Sequence, residues 1–283
     1  FTILLFFNCL QMKRTFDDID NDNGKGKEET NVENIENEEE IYMKSQYNKE
    51  IEELNNNRKC PYLDTINRNM LDFDMNKICS ITLSNVNVYC CLVCGKFFQG
   101  RSKTTPAYTH SVQSGHFVFI NLTTTELYCL PDNYIIHDNT CQDIKSALQP
   151  TYTTNTIQTL TQSNRNLIRD IHGVSYLPGF IGLNNMRNTD YVNVILHVFA
   201  HIEPLRDYFL NPTNYANTQH QSNLVIKFGE VMRRIWSKHN YKSIVSPHEF
   251  LHEISSSSDK RFVVGVSAEP IDLLSWMLDE LHR

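Results

Sequence analysis

The stretch CLVCGK at residues 91–96, followed by His110 and His116, decides the fold of the first half of this 283-residue chain. Two cysteines separated by two residues form a chelating turn, and Gly95 lets the backbone turn its N–H groups towards the sulfur atoms. Two thiolates and two neutral imidazoles complete a closed tetrahedral shell, which is typical of structural zinc. We therefore predict one structural Zn²⁺ with no open position for catalysis, and its ligands are Cys91, Cys94, His110 and His116.

Other interpretations of this pattern stay open. Cys90 and Cys94 form a second candidate pair with a less suitable spacing, and the set could also consist of ordinary core cysteines and surface histidines. A nucleic-acid finger has about twelve residues between its second Cys and its first His, whereas fifteen separate Cys94 from His110 here. Its loop would also offer only three bases, Lys96, Arg101 and Lys103. Four further cysteines make no convincing set of ligands and are predicted to be buried thiols: Cys60, Cys79, Cys129 and Cys141.

The charge of the chain is concentrated near its start. Residues 17–53 contain 14 acidic and 4 basic residues, a net charge of −10, whereas the whole chain carries −7. The rest is therefore close to neutral, which argues against a nucleic-acid binder that depends on bulk positive charge. We predict that the acidic leader, residues 1–57, is disordered because it has few apolar residues to bury. The apolar segment Phe1–Leu10 is shorter than the roughly 20 residues that span a bilayer, and we expect it to be a translation or cloning artefact.

Hydrophobic periodicity divides the remaining chain into a β-rich part and a helical part. Short apolar runs separated by glycines predict strands at Ile78–Leu83, Val86–Cys91, His116–Leu122 and Glu126–Leu130. Apolar residues at helical spacing predict helices at Asp190–Phe199 and Ser222–Trp236. The sequence SPHE at residues 246–249 is a capping box with Pro at the first helical position, which predicts a third helix. A fourth begins near Asp272, with one apolar face made of Leu274, Leu278 and Leu281.

The β-rich part resembles the zinc finger of ubiquitin-specific proteases. The resemblance rests on CLVCG at residues 91–95, QGR at 99–101, His110 and His116. That family holds up to three zinc ions, but the resemblance implies one here. A second site would need a Cys where Gln99 stands and a His where Pro106 stands.

The same resemblance implies a candidate site for the free carboxyl terminus of ubiquitin. Arg101 matches the arginine that grips this carboxylate in ubiquitin-binding members, a task that suits a guanidinium because it forms two parallel hydrogen bonds. Tyr128 stands where the family usually has Trp, and Leu130 stands where it has another aromatic residue. Arg101 and Tyr128 are therefore the candidate ubiquitin-tail residues.

A second resemblance lies in GLNNMRNTDY, residues 182–191, which is similar to the box that opens the catalytic domain of ubiquitin-specific proteases. Active members of that papain-like family have a nucleophilic Cys where this chain has Asp190, and Asn185 aligns with their oxyanion-stabilising Asn. A carboxylate at a helix N-terminus is explained as a cap worth about 0.5–2 kcal/mol. No other cysteine lies between Cys141 and Arg283, so we predict that the chain is not an enzyme and has no catalytic residue.

Four further segments, at residues 60–65, 128–134, 176–179 and 246–249, extend the resemblance to the inactive, spliceosome-associated branch of this family. It covers about residues 58–283 and implies an α+β fold, with a small zinc-stapled finger followed by the N-terminal helical part of a papain-like protease domain. The segment DLLSW at residues 272–276 falls where active proteases carry a Gln-Asp-Ala-x-Glu-Phe box, and we expect the remaining protease domain to lie beyond Arg283. The predicted organisation is a leader at 1–57, the zinc finger at 58–149, a linker at 150–175 and the inactive domain at 176–283.

The resemblance implies a nuclear, non-catalytic scaffold that supports assembly or maintenance of the spliceosomal tri-snRNP. Its implied partners are tri-snRNP proteins, with ubiquitin or a ubiquitin-like protein as a second candidate. No membrane and no direct RNA contact is expected. A ubiquitin-binding protein and an active cysteine-type deubiquitinase stay open as alternatives.

Overall fold

The computed structural model of the chain describes residues 59–160, 166–215 and 222–282, which all belong to one compact unit. The predicted disordered leader at 1–57, with the segment Phe1–Leu10, lies outside the described residues. Within the described ranges, no helix is long and apolar enough to cross a membrane.

An antiparallel sheet of five short strands organises the first part of the described chain. Alternate side chains of its strands enter two separate apolar clusters, because successive side chains of a strand point to opposite faces. The helix Pro106–Ser114 (α1) covers one face, and the helix Gln142–Leu148 (α2) covers the other. The strand order is β2-β1-β3-β4-β5, and the strands are β1 (Val88–Cys91), β2 (Phe97–Gln99), β3 (Val118–Asn121), β4 (Leu127–Cys129) and β5 (Tyr134–Ile136).

Three of the four predicted strands are confirmed with shorter bounds, but the strand predicted at Ile78–Leu83 is wrong. These residues form turns, because the Leu83 N–H bonds the Cys79 carbonyl at 3.0 Å and the Cys79 N–H bonds the Ser84 carbonyl at 2.8 Å. The sequence analysis also missed β2 and β5, which are only three residues long and present too few positions for an alternating pattern.

The second part of the described chain is mainly helical. A short helix, α3 (Thr154–Leu160), precedes two minimal sheets, in which β6 (Ile168–Arg169) pairs antiparallel with β7 (Ser175–Tyr176) and β8 (Gly182–Leu183) pairs parallel with β9 (Ile244–Val245). Phe228 lies at the centre of the apolar core, with the rings of Phe199, Phe209 and Phe250 between 4.7 and 5.8 Å away. The remaining helices are α4 (Asp190–His201), α5 (Glu203–Leu210), α6 (Asn223–Ile235), α7 (His248–Ser257) and α8 (Pro270–His282).

All four predicted helices are confirmed, but two details of them are wrong. Helix α8 buries Leu273 and Met277, whereas the predicted face residue Leu278 is exposed. Helix α7 begins as predicted, yet the capping box does not form. The Glu249 carboxylate accepts from the backbone N–H of Lys77 at 3.3 Å, and the Ser246 N–H donates to Asp74 at 2.9 Å. Acidic side chains and backbone groups from the two parts of the chain thus replace the local cap.

The sheet region and the helical region are joined by buried polar contacts. Arg234, which is buried, donates to the Asp74 carboxylate and, at 2.6 Å, to the Phe73 carbonyl. At the same junction, the ammonium group of Lys77 lies 3.6 Å from the Glu230 carboxylate and 3.7 Å from the Glu249 carboxylate. A charge removed from water is stabilised only when its hydrogen bonds are completed, so these contacts fix how the two regions pack.

Candidate metal centre and the position of Asp190

The four predicted zinc ligands lie together. One ligand atom from each of Cys91, Cys94, His110 and His116 falls within 4.8 Å of the others. Cys91 Sγ lies 3.5 Å from His116 Nδ1, Cys94 Sγ lies 3.5 Å from His110 Nε2, and the two imidazole nitrogens are 3.1 Å apart. A tetrahedral zinc with bonds of about 2.3 Å to sulfur and about 2.0–2.1 Å to nitrogen places S and N about 3.5 Å apart and two N atoms about 3.3 Å apart. The cluster therefore fits zinc.

Local structure explains why these side chains meet. Cys91 ends β1, and the chain reverses through Gly95, whose N–H bonds the Cys91 carbonyl at 2.8 Å and whose φ is +73°. A Cβ on Gly95 would lie 2.0 Å from the Met70 carbonyl oxygen, so this turn excludes other residues. His110 comes from α1, and its ring stacks on Phe98 with centroids 4.2 Å apart.

The second nitrogen of His110 has a partner as well. Its Nδ1 lies 3.2 Å from the hydroxyl of Ser114, one turn later in the same helix. Such a contact to the outer nitrogen fixes the orientation of the ring and leaves Nε2 facing the metal position. The sequence analysis missed Ser114, although the spacing of four residues from His110 could have pointed to it.

The electrostatics of the cluster favour a thiolate at Cys94, and thiolate is the form that binds metal. A hydrogen bond from Cys91 lowers the pKa of the Cys94 thiol to about 4, and the Lys96 backbone N–H and the nearby His116 act in the same direction. The contact with Cys94 and burial raise the pKa of Cys91. A divalent cation would displace the remaining thiol proton, which links metal affinity to pH.

The four other predicted thiols, Cys60, Cys79, Cys129 and Cys141, are buried, and within the described ranges none of them belongs to a group of three or more metal-ligating side chains. Cys79 accepts the backbone N–H groups of Ile81 and Thr82, both at 3.4 Å. The Thr82 hydroxyl in turn donates to Gln99 at 2.8 Å. Hydrogen bonds therefore stabilise the turn at Cys79. A second metal at this position would require further ligands.

The two candidate ubiquitin-tail residues are in contact. The guanidinium of Arg101 lies over the ring of Tyr128, 4.3 Å from its centroid, and donates to Asn133 at 2.8 Å. The Tyr128 hydroxyl donates to Glu126 at 2.6 Å, and burial together with this bond raises the pKa of Tyr128 to about 12. Leu130 is fully buried and offers no face to a ligand. Asn133 was missed by the sequence analysis because its contact with Arg101 spans 32 residues.

Asp190 is exposed and is the first residue of α4. The predicted cap is wrong in its contacts: Thr189 holds the cap position, and the Asn185 side-chain oxygen accepts the Thr189 N–H at 2.9 Å. Among the described contacts no hydrogen bond reaches the Asp190 carboxylate, so what stabilises it is the helix dipole, by roughly 0.3–1 kcal/mol for an exposed group. Asn185 thus orders the turn that presents Asp190 to solvent.

Two known families match this chain. The family described as "Zn-finger in ubiquitin-hydrolases and other protein" matches residues 79–141, and "Ubiquitin carboxyl-terminal hydrolase" matches residues 181–283. The chain therefore carries a zinc finger followed by a hydrolase-type domain, in agreement with the predicted α+β fold.

Individual proteins match across both regions. The chain is 48% identical over 230 residues to "Ubiquitin carboxyl-terminal hydrolase 39" of Homo sapiens, covering 80% of this chain and 40% of that protein. It is 40% identical over 222 residues to "Probable mRNA-splicing protein ubp10" of Schizosaccharomyces pombe, covering 78% of this chain and 43% of that protein. The solved structure "Crystal structure of an essential yeast splicing factor" superimposes with a TM-score of 0.70 at 34% identity, covering 78% of this chain and 54% of the chain in that structure. The chain thus spans less than half the length of the two curated relatives.

Proposed function

Because the chain is similar to these splicing proteins across both its zinc finger and its hydrolase-type domain, we propose that it belongs to a non-catalytic pre-mRNA splicing factor. In this proposal the protein acts in the nucleus as a scaffold that supports assembly or maintenance of the spliceosomal tri-snRNP. Its partners are tri-snRNP proteins, and neither a membrane nor direct RNA contact is part of its role.

The observation that carries the non-catalytic part of this proposal is the carboxylate of Asp190 at the first residue of α4. A cysteine protease needs a thiolate there, because the thiolate attacks the amide carbonyl and forms the acyl-enzyme. A carboxylate is a much weaker nucleophile. Between Cys141, which is buried in the sheet region, and Arg283 the sequence has no other cysteine. We therefore assign Asp190 to the nucleophile position and Asn185 to the oxyanion position of an inactive site.

The metal centre has a structural role in the same proposal. One Zn²⁺ bound by Cys91, Cys94, His110 and His116 would have four protein ligands and no position for water or substrate. It would hold the β1–β2 turn against α1 and would supply no chemistry. The domain limits that we propose are a leader at 1–57, the zinc finger at 58–149, a linker at 150–175 and the inactive domain at 176–283.

Affinity purification of the tagged full-length protein from nuclei tests the proposal. We expect recovery of splicing ribonucleoproteins, and the Asp190→Ala variant is expected to recover them equally because its carboxylate performs no chemistry. A single-site control, Cys94→Ser, removes one zinc ligand and is expected to reduce recovery. Recovery of ubiquitinated proteins without splicing components would overturn the proposal.

A ubiquitin-binding role is the second candidate, and the stacked pair of Arg101 and Tyr128 favours it. The contact keeps the guanidinium oriented, which reduces the entropy lost when it grips a carboxylate. Against this role, Asn133 already occupies one donor of Arg101, and buried Leu130 leaves the pocket without its second aromatic wall. The scaffold therefore remains the first candidate.

A further inference from the structure

Residues 78–86, here called the apolar loop, expose an unusual amount of aliphatic surface. Ile81, Leu83 and Val86 are 64%, 72% and 66% exposed, and Ile78 is 40% exposed. Single exposed aliphatic side chains are common on protein surfaces, but a group of them on one short segment indicates a binding surface. The apolar loop lies outside both the zinc cluster and the Asp190 site.

The apolar loop is held rigidly in place. Besides the two backbone bonds between its ends, the Ser80 N–H bonds the Phe97 carbonyl of β2 at 2.8 Å. Gln99 accepts from Thr82 and donates to Ser84 at 3.1 Å. A surface that is already ordered loses little conformational entropy when a partner binds, so these contacts prepare the exposed side chains for binding.

Leu83 is an unfavourable residue for the fold at its own position. Its φ is +57°, in the left-handed region that Gly and Asn adopt more readily than Leu. Its side chain is also mostly exposed to water, so it gains little from burial. Asn at this position would adopt the positive φ at a lower conformational cost. A residue that opposes local preference without a compensating contact indicates a role outside folding.

A groove of about 510 Å³ adjoins the apolar loop, between the sheet region and α6 and α7. Ile78 and Asn85 of the loop line it together with Glu249, Glu253 and other charged or amide side chains. This volume lies within the range of about 300–1,000 Å³ that is typical of ligand sites. The groove and the exposed aliphatic residues are continuous through Ile78.

The charge of the groove selects the chemistry of its occupant. Its two ammonium groups, Lys77 and Lys227, both pair with Glu230 and Glu249. Glu253 remains as an additional carboxylate, so with a neutral His252, which also lines the groove, the lining carries an excess of one negative charge. Amide side chains on the walls, including Asn76, Gln149 and Asn223, can donate to and accept from a peptide backbone.

We propose that the apolar loop and the adjoining groove bind an extended segment of a partner protein in which apolar residues alternate with basic ones. Its apolar side chains cover Ile81, Leu83 and Val86, and a basic side chain reaches Glu253. This inference goes beyond the scaffold function, because the proposed surface uses neither the metal ligands nor Asp190. The inference does not depend on whether the partner is a splicing protein.

The test uses the purified chain and an immobilised library of nine-residue peptides. Leu, Ile or Val alternates with Arg in one half of the library and with Glu in the matched half. We expect Arg-containing members to bind roughly tenfold or more tightly than their Glu-containing counterparts. Absence of binding below about 1 mM across the library, or equal binding of both halves, would overturn the proposal.

Variants locate the binding surface. Leu83→Asn is expected to keep the urea midpoint of the wild type, because Asn tolerates a positive φ, and to weaken peptide binding roughly tenfold. Ile81→Ser provides a second loop variant at a residue without a positive φ, and Glu253→Gln is expected to reduce the preference for Arg. Leu167→Asn is the matched control, since Leu167 is 70% exposed and does not line the groove. Unchanged binding in both loop variants would contradict the assignment.

Discussion

Replacing Asp74 by Ala is expected to uncouple the sheet region from the helical region. Asp74 accepts from the buried guanidinium of Arg234 with one oxygen and from the Ser246 N–H with the other. Removing the carboxylate leaves the buried guanidinium of Arg234 without its counter-charge and the Ser246 N–H without its acceptor. Loss of one partner of a buried ion pair costs about 3–5 kcal/mol, which is a large part of the usual stability of about 5–15 kcal/mol for a folded protein.

Two independent probes can follow this perturbation in urea. Both tryptophans, Trp236 and Trp276, lie in the helical region, so their fluorescence reports unfolding there. Release of zinc to a chromogenic chelator reports unfolding of the sheet region. We expect coincident transitions in the wild type and separate transitions in Asp74→Ala, with a loss of about 3–5 kcal/mol.

The control is Asp272→Ala, which removes an exposed ion pair with Arg261 at 4.0 Å. Exposed pairs contribute about 0–1 kcal/mol, so this variant is expected to retain a single transition. Asp74→Asn keeps an oxygen acceptor but no charge, and we expect an intermediate loss. A loss below about 1 kcal/mol in Asp74→Ala with coincident transitions would refute the reasoning that this buried pair joins the two regions.

Three further predictions concern zinc, pH and ubiquitin. Atomic absorption is expected to find one zinc per chain in the wild type and less than one in Cys94→Ser. The control Cys141→Ser removes a buried thiol outside the cluster and is expected to keep its zinc. A zinc content of Cys94→Ser equal to that of the wild type would contradict the ligand set. Burial raises the pKa of Glu249, but Lys77 and Lys227 lower it more, so its net pKa is depressed. A depressed carboxyl pKa stabilises the fold above its unfolded value, about 4.3, and the stabilisation is lost as pH falls through the folded pKa. The urea concentration at the unfolding midpoint should therefore decrease as the pH falls below about 4.3, and it should decrease less steeply in Glu249→Gln. An identical pH dependence of the midpoint in the wild type and in this variant would show that the carboxylate is not involved. In calorimetric titration, ubiquitin is expected to bind no more tightly than ubiquitin lacking its terminal Gly-Gly, and Arg101→Ala is expected to have the same affinity as the wild type. Binding that requires the tail and is abolished by Arg101→Ala would favour the ubiquitin-binding role.

Local patterns predicted much of this fold. The spacing of the metal ligands sufficed for the cluster, because a Cys pair on one turn and two nearby histidines restrict the chain to few arrangements. Periodicity located α4 and α6, since each of these helices buries one apolar face in the core. These features depend on residues that are close in sequence.

Two of the wrong predictions failed because of distant partners. The short apolar run at Ile78–Leu83 suggested a strand, but the sulfur of Cys79 and the backbone of β2 hold these residues in turns. The capping box at Ser246 and Glu249 failed because Asp74 and Lys77 offered better partners from more than 170 residues away. Tertiary contacts override local preference where they satisfy a buried charge, and sequence spacing does not reveal them.

The central claim, that the Asp190 site performs no chemistry, is tested most directly by hydrolysis of a ubiquitin–aminocoumarin conjugate by the full-length protein. We predict a rate equal to that of buffer alone, with the same result for Asp190→Ala and for Asn185→Ala. Turnover that is present in the wild type and lost in Asp190→Ala would contradict the account.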